Sequence, residues 1–303
     1  MNKNIKIYAD SPCDVAPVYN DSDKKVHFQW EVNNDNYRPS GKTCDRLPSG
    51  VYNFEYNNGI IIIKKMNIVA DSLVNLPDSS MQRVLIGMDK FWKNEEKYRE
   101  FGLLYKRGLL LYGKPGAGKT ALIYQLMHIL TNDDGIVVIC DDPILTSEGL
   151  EIIRKIEPNR KIINIMEDID EIIERYTEHT VLSLLDGENQ VDNICHIATT
   201  NYPEKLGSRI INRPSRFDEC IHIDMPSENS RRSYLMKVIH DDSITINQWV
   251  KDTENFSIAH LRELVAAVYC LEQPYKEVIA RLRSMIESSS EDRLSTLPML
   301  DDK

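Results

Sequence analysis

The sequence predicts an α/β protein in which helices flank a parallel sheet, with a helical segment after the sheet and a small β module before it. Three observations carry this reading. The run GLLLYGKPGAGKT at Gly108 to Thr120 is an apolar strand that empties into a glycine-rich loop. Short, nearly all-apolar segments then alternate with helical ones, the pattern of a sheet buried on both faces. Beyond Pro226 the strand signals stop and four helical stretches follow.

Residues 1–70 carry strand signals in IKIYA, KVHFQWEV and VYNFEYNNGIIIIKK. Asn58-Gly59 between two apolar runs marks a two-residue hairpin turn, which needs positive φ at both positions. Asp10 to Asp23 and Asn33 to Ser49 are rich in Asn, Asp, Ser and Pro and read as loops. Asp71 to Ser80 reads as a linker ending in the helix-start cluster Pro77, Asp78, Ser79. Met81 to Phe101 places Val84, Leu85, Met88, Phe91 and Trp92 on one helical face.

After the loop, the pattern predicts helix Ala121 to Leu130, strand Ile136 to Ile139, helix Glu148 to Ile156 and strand Ile162 to Met166. Helix Thr180 to Leu185 and strands Ile194 to Thr199 and Cys220 to Ile223 complete the sheet region. Ser230 to His240, Ile246 to Lys251, Ile258 to Leu271 and Tyr275 to Ile286 form the helical lid. The expected division is therefore a β module over 1–70, an α/β domain over 71–226, a lid over 227–287 and a disordered acidic tail over 288–303.

A net charge of −10 and a pI near 5.3 oppose broad affinity for nucleic acid, which depends on Lys and Arg displacing counterions. No apolar run reaches the length of a membrane span, and the N-terminus lacks an apolar signal core, so a cytoplasmic location is expected. The six cysteines are scattered without metal-ligand spacing and read as reduced packing residues.

Gly113, Gly118, Lys119 and Thr120 fit G-x-x-x-x-G-K-[ST], in which successive backbone N–H groups converge on phosphate oxygens. Gly113, Lys114, Pro115, Gly116, Ala117, Gly118, Lys119, Thr120 and Ala121 are the expected nucleotide-binding residues. Lys119 is placed to meet the β and γ phosphates of ATP, and the Thr120 hydroxyl to hold Mg²⁺. Strand Ile162 to Met166 ends in Glu167 and Asp168, two carboxylates at the sheet edge where open α/β sheets bind ligands. One of the pair can hold Mg²⁺ and its neighbour can orient an attacking water.

From about Leu76 to Glu287 the chain resembles an AAA+ ATPase of the AAA clade. The resemblance rests on YKRGLLLYGKPGAGKT, IINIMEDID, LSLLDG, HIATTNYPEKL and NRPSRFDECIHIDMPS, in the family's order. It implies an ATPase using ATP and Mg²⁺, with Thr120, Glu167 and Asp168 at the metal. Glu167 takes the metal position and Asp168 the catalytic-base position, a Glu-Asp order similar to the Bcs1-like subgroup. Asn201 matches the sensor that reads the γ phosphate. Arg213 and Arg216 match arginine fingers acting on a neighbouring subunit, which implies a homo-oligomer, a hexameric ring. Ser215 and Ile258 stand where the family has glycine, and Arg262 reads as a lid surface charge.

The segment Asp141 to Gly149, where ring relatives carry an aromatic pore loop, has only Ile144 and Leu145 as apolar grips. Three readings follow. The first is a ring that remodels or translocates a protein partner, recruited by the β module. The second is a motor that moves a folded partner without threading. The third is a nucleotide-switched scaffold or nucleic-acid-associated factor with slow hydrolysis, in which Trp30, Tyr37, Tyr52, Phe54 and Tyr56 stack on bases.

Overall fold

The computed structural model describes residues 26–33, 36–67, 78–186, 191–211, 213, 215–239 and 246–294. IKIYA and the loop over 10–23 lie outside them. The chain divides into two compact units between Leu47 and Pro48. In the first, β1 (Val26–Asn33) and β2 (Asn36–Cys44) form an antiparallel pair. A loop was expected over most of β2. The breaker residues are accommodated because the register slips between Phe28↔Lys42 and Trp30↔Pro39, a bulge that absorbs one extra residue on the Pro-Ser-Gly side.

The second unit contains, in chain order, β3 (Gly50–Asn57), β4 (Ile60–Met66), α1 (Ser79–Lys93), α2 (Glu95–Glu100), β5 (Lys106–Tyr112), α3 (Lys119–Asn132), β6 (Ile136–Ile139) and α4 (Pro143–Ile156). Then come β7 (Ile162–Met166), α5 (Ile169–Tyr176), α6 (Glu178–Asp186), β8 (Ile194–Thr200), α7 (Ser208–Ile211) and β9 (Glu219–His222). The last four helices are α8 (Glu228–Val238), α9 (Ile246–Asp252), α10 (Ile258–Val265) and α11 (Tyr275–Leu294).

Seven strands form one sheet in the order β4-β3-β6-β7-β8-β5-β9, parallel except for the β3–β4 hairpin. This is the expected parallel α/β core with its helical C-terminal region. The hairpin, however, does not belong to a separate N-terminal module. β3 pairs with β6 at Gly50↔Ile136, Val51↔Val137 and Tyr52↔Val138, so the boundary falls near residue 47 rather than 70. The cause is the edge of β6, whose Ile136, Val137 and Val138 are fully buried and whose outer N–H and C=O groups need partners. Asn58 and Gly59 turn the hairpin with φ of 50° and 78°, as their sequence predicts. Phe54 packs over Gly149 of α4, and the Tyr56 hydroxyl donates to Glu148.

The single helix expected over 81–101 is two. Asn94 leaves helical geometry at φ −116°, its amide donating to the Lys90 carbonyl at 2.6 Å, and α2 restarts from it. α4 begins earlier than expected because the Asp142 carboxylate accepts from the N–H groups of Ile144 and Leu145 and Pro143 takes the first helical position. The tail expected to be disordered from residue 288 is helical as far as Leu294, since no glycine or proline interrupts α11; residues 295–303 lie outside the described region. One apolar core joins Met81, Val84, Met88 and Phe91 of α1 to Leu109 and Leu111 of β5, Leu122 and Leu126 of α3, and Leu261 and Leu264 of α10. The lid thus shares its packing with the sheet.

Two polar side chains interrupt this apolar sheet. Asn164 and His196, directly opposite on β7 and β8, are fully buried and bonded through Asn164 Nδ2 and His196 Nδ1 at 3.1 Å. Burial, aided by the nearby Lys106 cation, pushes the His196 pKa down to about 3 from the ordinary value of 6.5. The folded histidine is neutral, whereas the unfolded chain takes up a proton below pH 6.5. Its contribution is therefore complete above that pH and is lost on acidification, by up to about 1.4 kcal/mol per pH unit. Urea midpoints at pH 7.5 and 5.5 will show wild type losing about 1 kcal/mol more than His196→Asn, whose amide keeps a partner for Asn164. Equal losses in the two proteins would refute the assignment.

Candidate functional site

The site follows from strand order. β8 lies between β5 and β7, so the loops leaving these three strands converge at one edge of the sheet. The loop after β5 holds the glycine-rich run, the turn after β7 holds Glu167 and Asp168, and β8 ends at Asn201.

Within the loop, Gly116 and Gly118 take φ of 78° and 107°, left-handed values that a side chain disfavours. A Cβ at Gly116 would lie 2.7 Å from Ser257 Oγ, and one at Gly118 would lie 2.6 Å from the Met81 methyl. The backbone is thereby held tightly at the N-terminus of α3, a position that favours anions. Of the loop residues Gly113 to Ala121, Pro115, Gly116, Gly118, Lys119, Thr120 and Ala121 line a cavity of about 1000 Å³. Its opposite wall is built from Tyr234 and Val238 of α8 and Ile258, Ala259 and Arg262 of α10. Arg262 thus faces this cavity instead of being an uninvolved surface charge, because α10 starts at Ser257, which lies against Gly116 of the loop.

Lys119 is buried, and its ammonium donates to the carbonyls of Gly113 at 2.7 Å and Lys114 at 3.2 Å and to Asn201 Oδ1 at 2.6 Å. Desolvation lowers its pKa, opposed by the charges of Asp168 and Asp170. The Asn201 amide in turn donates to Asp168 Oδ1 at 3.2 Å. Lysine, asparagine and aspartate therefore form one chain of hydrogen bonds across three adjacent strands. The Thr120 hydroxyl lies beside the Glu167 carboxylate in the cavity wall. Partial desolvation raises the Glu167 pKa, the Thr120 bond pulls it back, and the Asp168 charge adds to the rise. Asp168 itself sits at φ 47°, ψ 58°, a left-handed kink that separates the two carboxylates' directions. Its N–H donates to Thr199 Oγ1 at 3.0 Å.

The two arginines part company. Arg213 is exposed on the segment between α7 and β9. Arg216 is buried, its Nε 2.6 Å from the Asp186 carboxylate and its Nη1 donating to the Arg209 carbonyl. Within the single chain Arg216 is turned inward, with Asp186 at the end of α6 as its charged partner. In the candidate grip, Leu145 is buried and Ile144 exposed, both in the first turn of α4. Of the aromatic side chains expected to stack on bases, Tyr52 and Phe54 are core residues. The side chains of Trp30 and Tyr37 lie outside the described set.

Residues 109–225 match the family model described as ATPase family associated with various cellular activities (AAA). This segment is similar to that family over its whole matched length. The chain is also similar to proteins named proteasome-activating nucleotidase. That of Sulfurisphaera tokodaii is 32% identical over 206 residues, 60% of this chain and 51% of the relative. That of Saccharolobus solfataricus is 28% identical over 208 residues, 61% and 51% of the two chains. That of Methanosarcina mazei is 29% identical over 226 residues, 67% and 53%. The chain spans about half the length of these relatives. No described helix is long and apolar enough to cross a membrane.

Several residues of the site went unnamed in the sequence reading: Thr199, Thr200, Asp170 and Asp186. Each stands inside a motif already quoted, and only the fold reveals its partner. The inward position of Arg216 has a direct consequence. Arg216→Ala removes the guanidinium held against the largely buried Asp186 and will lower the unfolding free energy by about 3 kcal/mol. Arg213→Ala will leave the urea midpoint unchanged. Matching midpoints for the two variants would return Arg216 to the surface.

Proposed function

We propose that this chain is an ATP-hydrolysing motor subunit that works in a homo-oligomeric ring, hexameric by family resemblance, and remodels or translocates a protein partner. The observation that carries the reading is the Lys119–Asn201–Asp168 chain lying between the phosphate loop and the lid cavity. It joins the cation that meets the phosphates, an amide able to read the terminal phosphate and a carboxylate able to take a proton from water. The loop's backbone N–H groups and Lys119 hold the triphosphate, and the cavity under α8 and α10 receives the base. Thr120 and Glu167 are the residues that would hold Mg²⁺, which when bound neutralises and orients the phosphate oxygens. Asp168 orients the attacking water, with a carboxylate one methylene shorter than the glutamate of the common order. The Glu-Asp order of the Bcs1-like subgroup supports this division of roles.

Arg213, exposed next to the sheet edge, is the residue proposed to reach a neighbour's γ phosphate. Arg216 holds the segment that presents it. The relatives' name, proteasome-activating nucleotidase, supports a protein as the load. The reading as a nucleic-acid factor is weakened by the burial of Tyr52 and Phe54 and by the acidic charge.

Phosphate release measured across protein concentration will rise in turnover per subunit as rings assemble, with the assembly followed by mass photometry. Lys119→Ala and Asp168→Asn will each lose on the order of 100-fold in kcat, and Arg213→Ala will retain nucleotide binding while losing turnover. Turnover per subunit that is independent of concentration would overturn the shared site.

A further inference from the structure

Behind Asn201 lies a second set of bonds that the reaction as described does not use. The Thr200 hydroxyl, fully buried, donates to Asp170 Oδ1 at 2.7 Å and accepts from the Tyr202 N–H at 2.9 Å. A hydroxyl has one proton to give, so donating to Asp170 fixes its lone pairs toward Tyr202. The residues on either side of Asn201 are therefore pinned to a single side-chain oxygen, and that oxygen is aimed by one carboxylate.

That carboxylate is also 7% exposed and sits in the first turn of α5, the helix that Asp168 opens. The same turn is tied to β8 a second time, by the Asp168 N–H on Thr199 Oγ1 at 3.0 Å. Two threonines at the end of β8 thus register the start of α5 against the strand that presents Asn201.

We infer that Asp170 and Thr200 form a positioning relay that sets Asn201 between Lys119 and Asp168, so that the amide discriminates nucleoside triphosphate from diphosphate. The inference rests on the ATPase reading. A buried carboxylate is suited to the task because a charge-assisted bond is shorter and stiffer than a neutral one. A shift of Asn201 by a fraction of an ångström loses one of its two partners, since its carbonyl and amide ends are both committed. The relay touches neither phosphate nor water; Thr200 acts through Asn201, while the Asp170 charge also favours the Lys119 cation through space.

The test combines two readouts. In competition against a fluorescent ADP, Thr200→Val will lower the ATPγS-to-ADP affinity ratio by about 10-fold, to the value of Asn201→Ala, with ADP affinity within about threefold of wild type. Its kcat will fall by about 10-fold or more, and Thr200→Ser, which keeps the hydroxyl, will stay within about twofold. On the Asn201→Ala background, Thr200→Val will add nothing, the non-additivity expected of residues acting in one chain. If Thr200→Val fails to fold because Asp170 is stranded, Asp170→Leu combined with Thr200→Val removes both partners and restores an apolar fit, and the same ratio is read on it. A wild-type ratio in the folded variant, or an equal loss on the Asn201→Ala background, overturns the relay. The two failures stay separable: a wild type that binds ATPγS but releases no phosphate refutes the ATPase reading, while the affinity ratio still reports on Thr200.

Discussion

The structure depends on the bond between Lys119 and Asn201. A lysine buried at the head of α3 carries a charge that desolvation disfavours, and three acceptors make that charge tolerable. Two are carbonyls of its own loop, which the loop's path supplies locally. The third arrives from β8, and it can arrive only because β8 is inserted between β5 and β7. Chain order alone would separate Lys119 from Asn201 by 82 positions; the crossovers of a parallel sheet bring them together. The same insertion carries Asn201 within reach of Asp168, so one topological choice assembles the loop, the amide and the carboxylate.

Most of this was legible in the sequence because the information is local. A strand that runs into glycines and a lysine at the head of a helix declares its backbone path through φ preferences and orphan N–H groups. The carboxylates after Met166 declare their place through the apolar run that precedes them. What was not legible depends on partners distant in sequence. Arg216 reads as a finger in its motif, yet Asp186, thirty positions away, captures it. Arg262 looks like a surface charge on its own helix and becomes a cavity wall only when the start of α10 meets the loop at Gly116. The β3–β4 hairpin shows its turn in Asn58-Gly59, but nothing in its own residues says that β6 has an open edge to fill.

That edge also explains why the hairpin is rigidly held. β3 completes the hydrogen bonding of β6 on one side, and its aromatic side chains pack on α4 on the other. Phe54 over Gly149 and Tyr56 on Glu148 fix the helix whose first turn carries Ile144, the exposed apolar residue of the candidate grip. Any movement of that turn relative to the sheet has to work against both contacts.

The polar groups inside the second unit then separate into two kinds. Asn164 and His196 bond to each other in mid-sheet and His196 stays neutral, so the pair adds register to β7 and β8 without adding charge. Thr199 and Thr200 sit at the end of β8, and their bonds, with Asp170 of α5, lead toward Asn201 or Asp168. The difference follows from distance to the cavity. Deep in the sheet, desolvation keeps His196 neutral and the Lys106 cation adds to the effect, whereas at the edge Asp168 and Asp170 face the Lys119 ammonium. The carboxylate of Asp170 therefore stabilises the lysine through space while aligning the amide through Thr200, and the two effects favour the same arrangement of the loop.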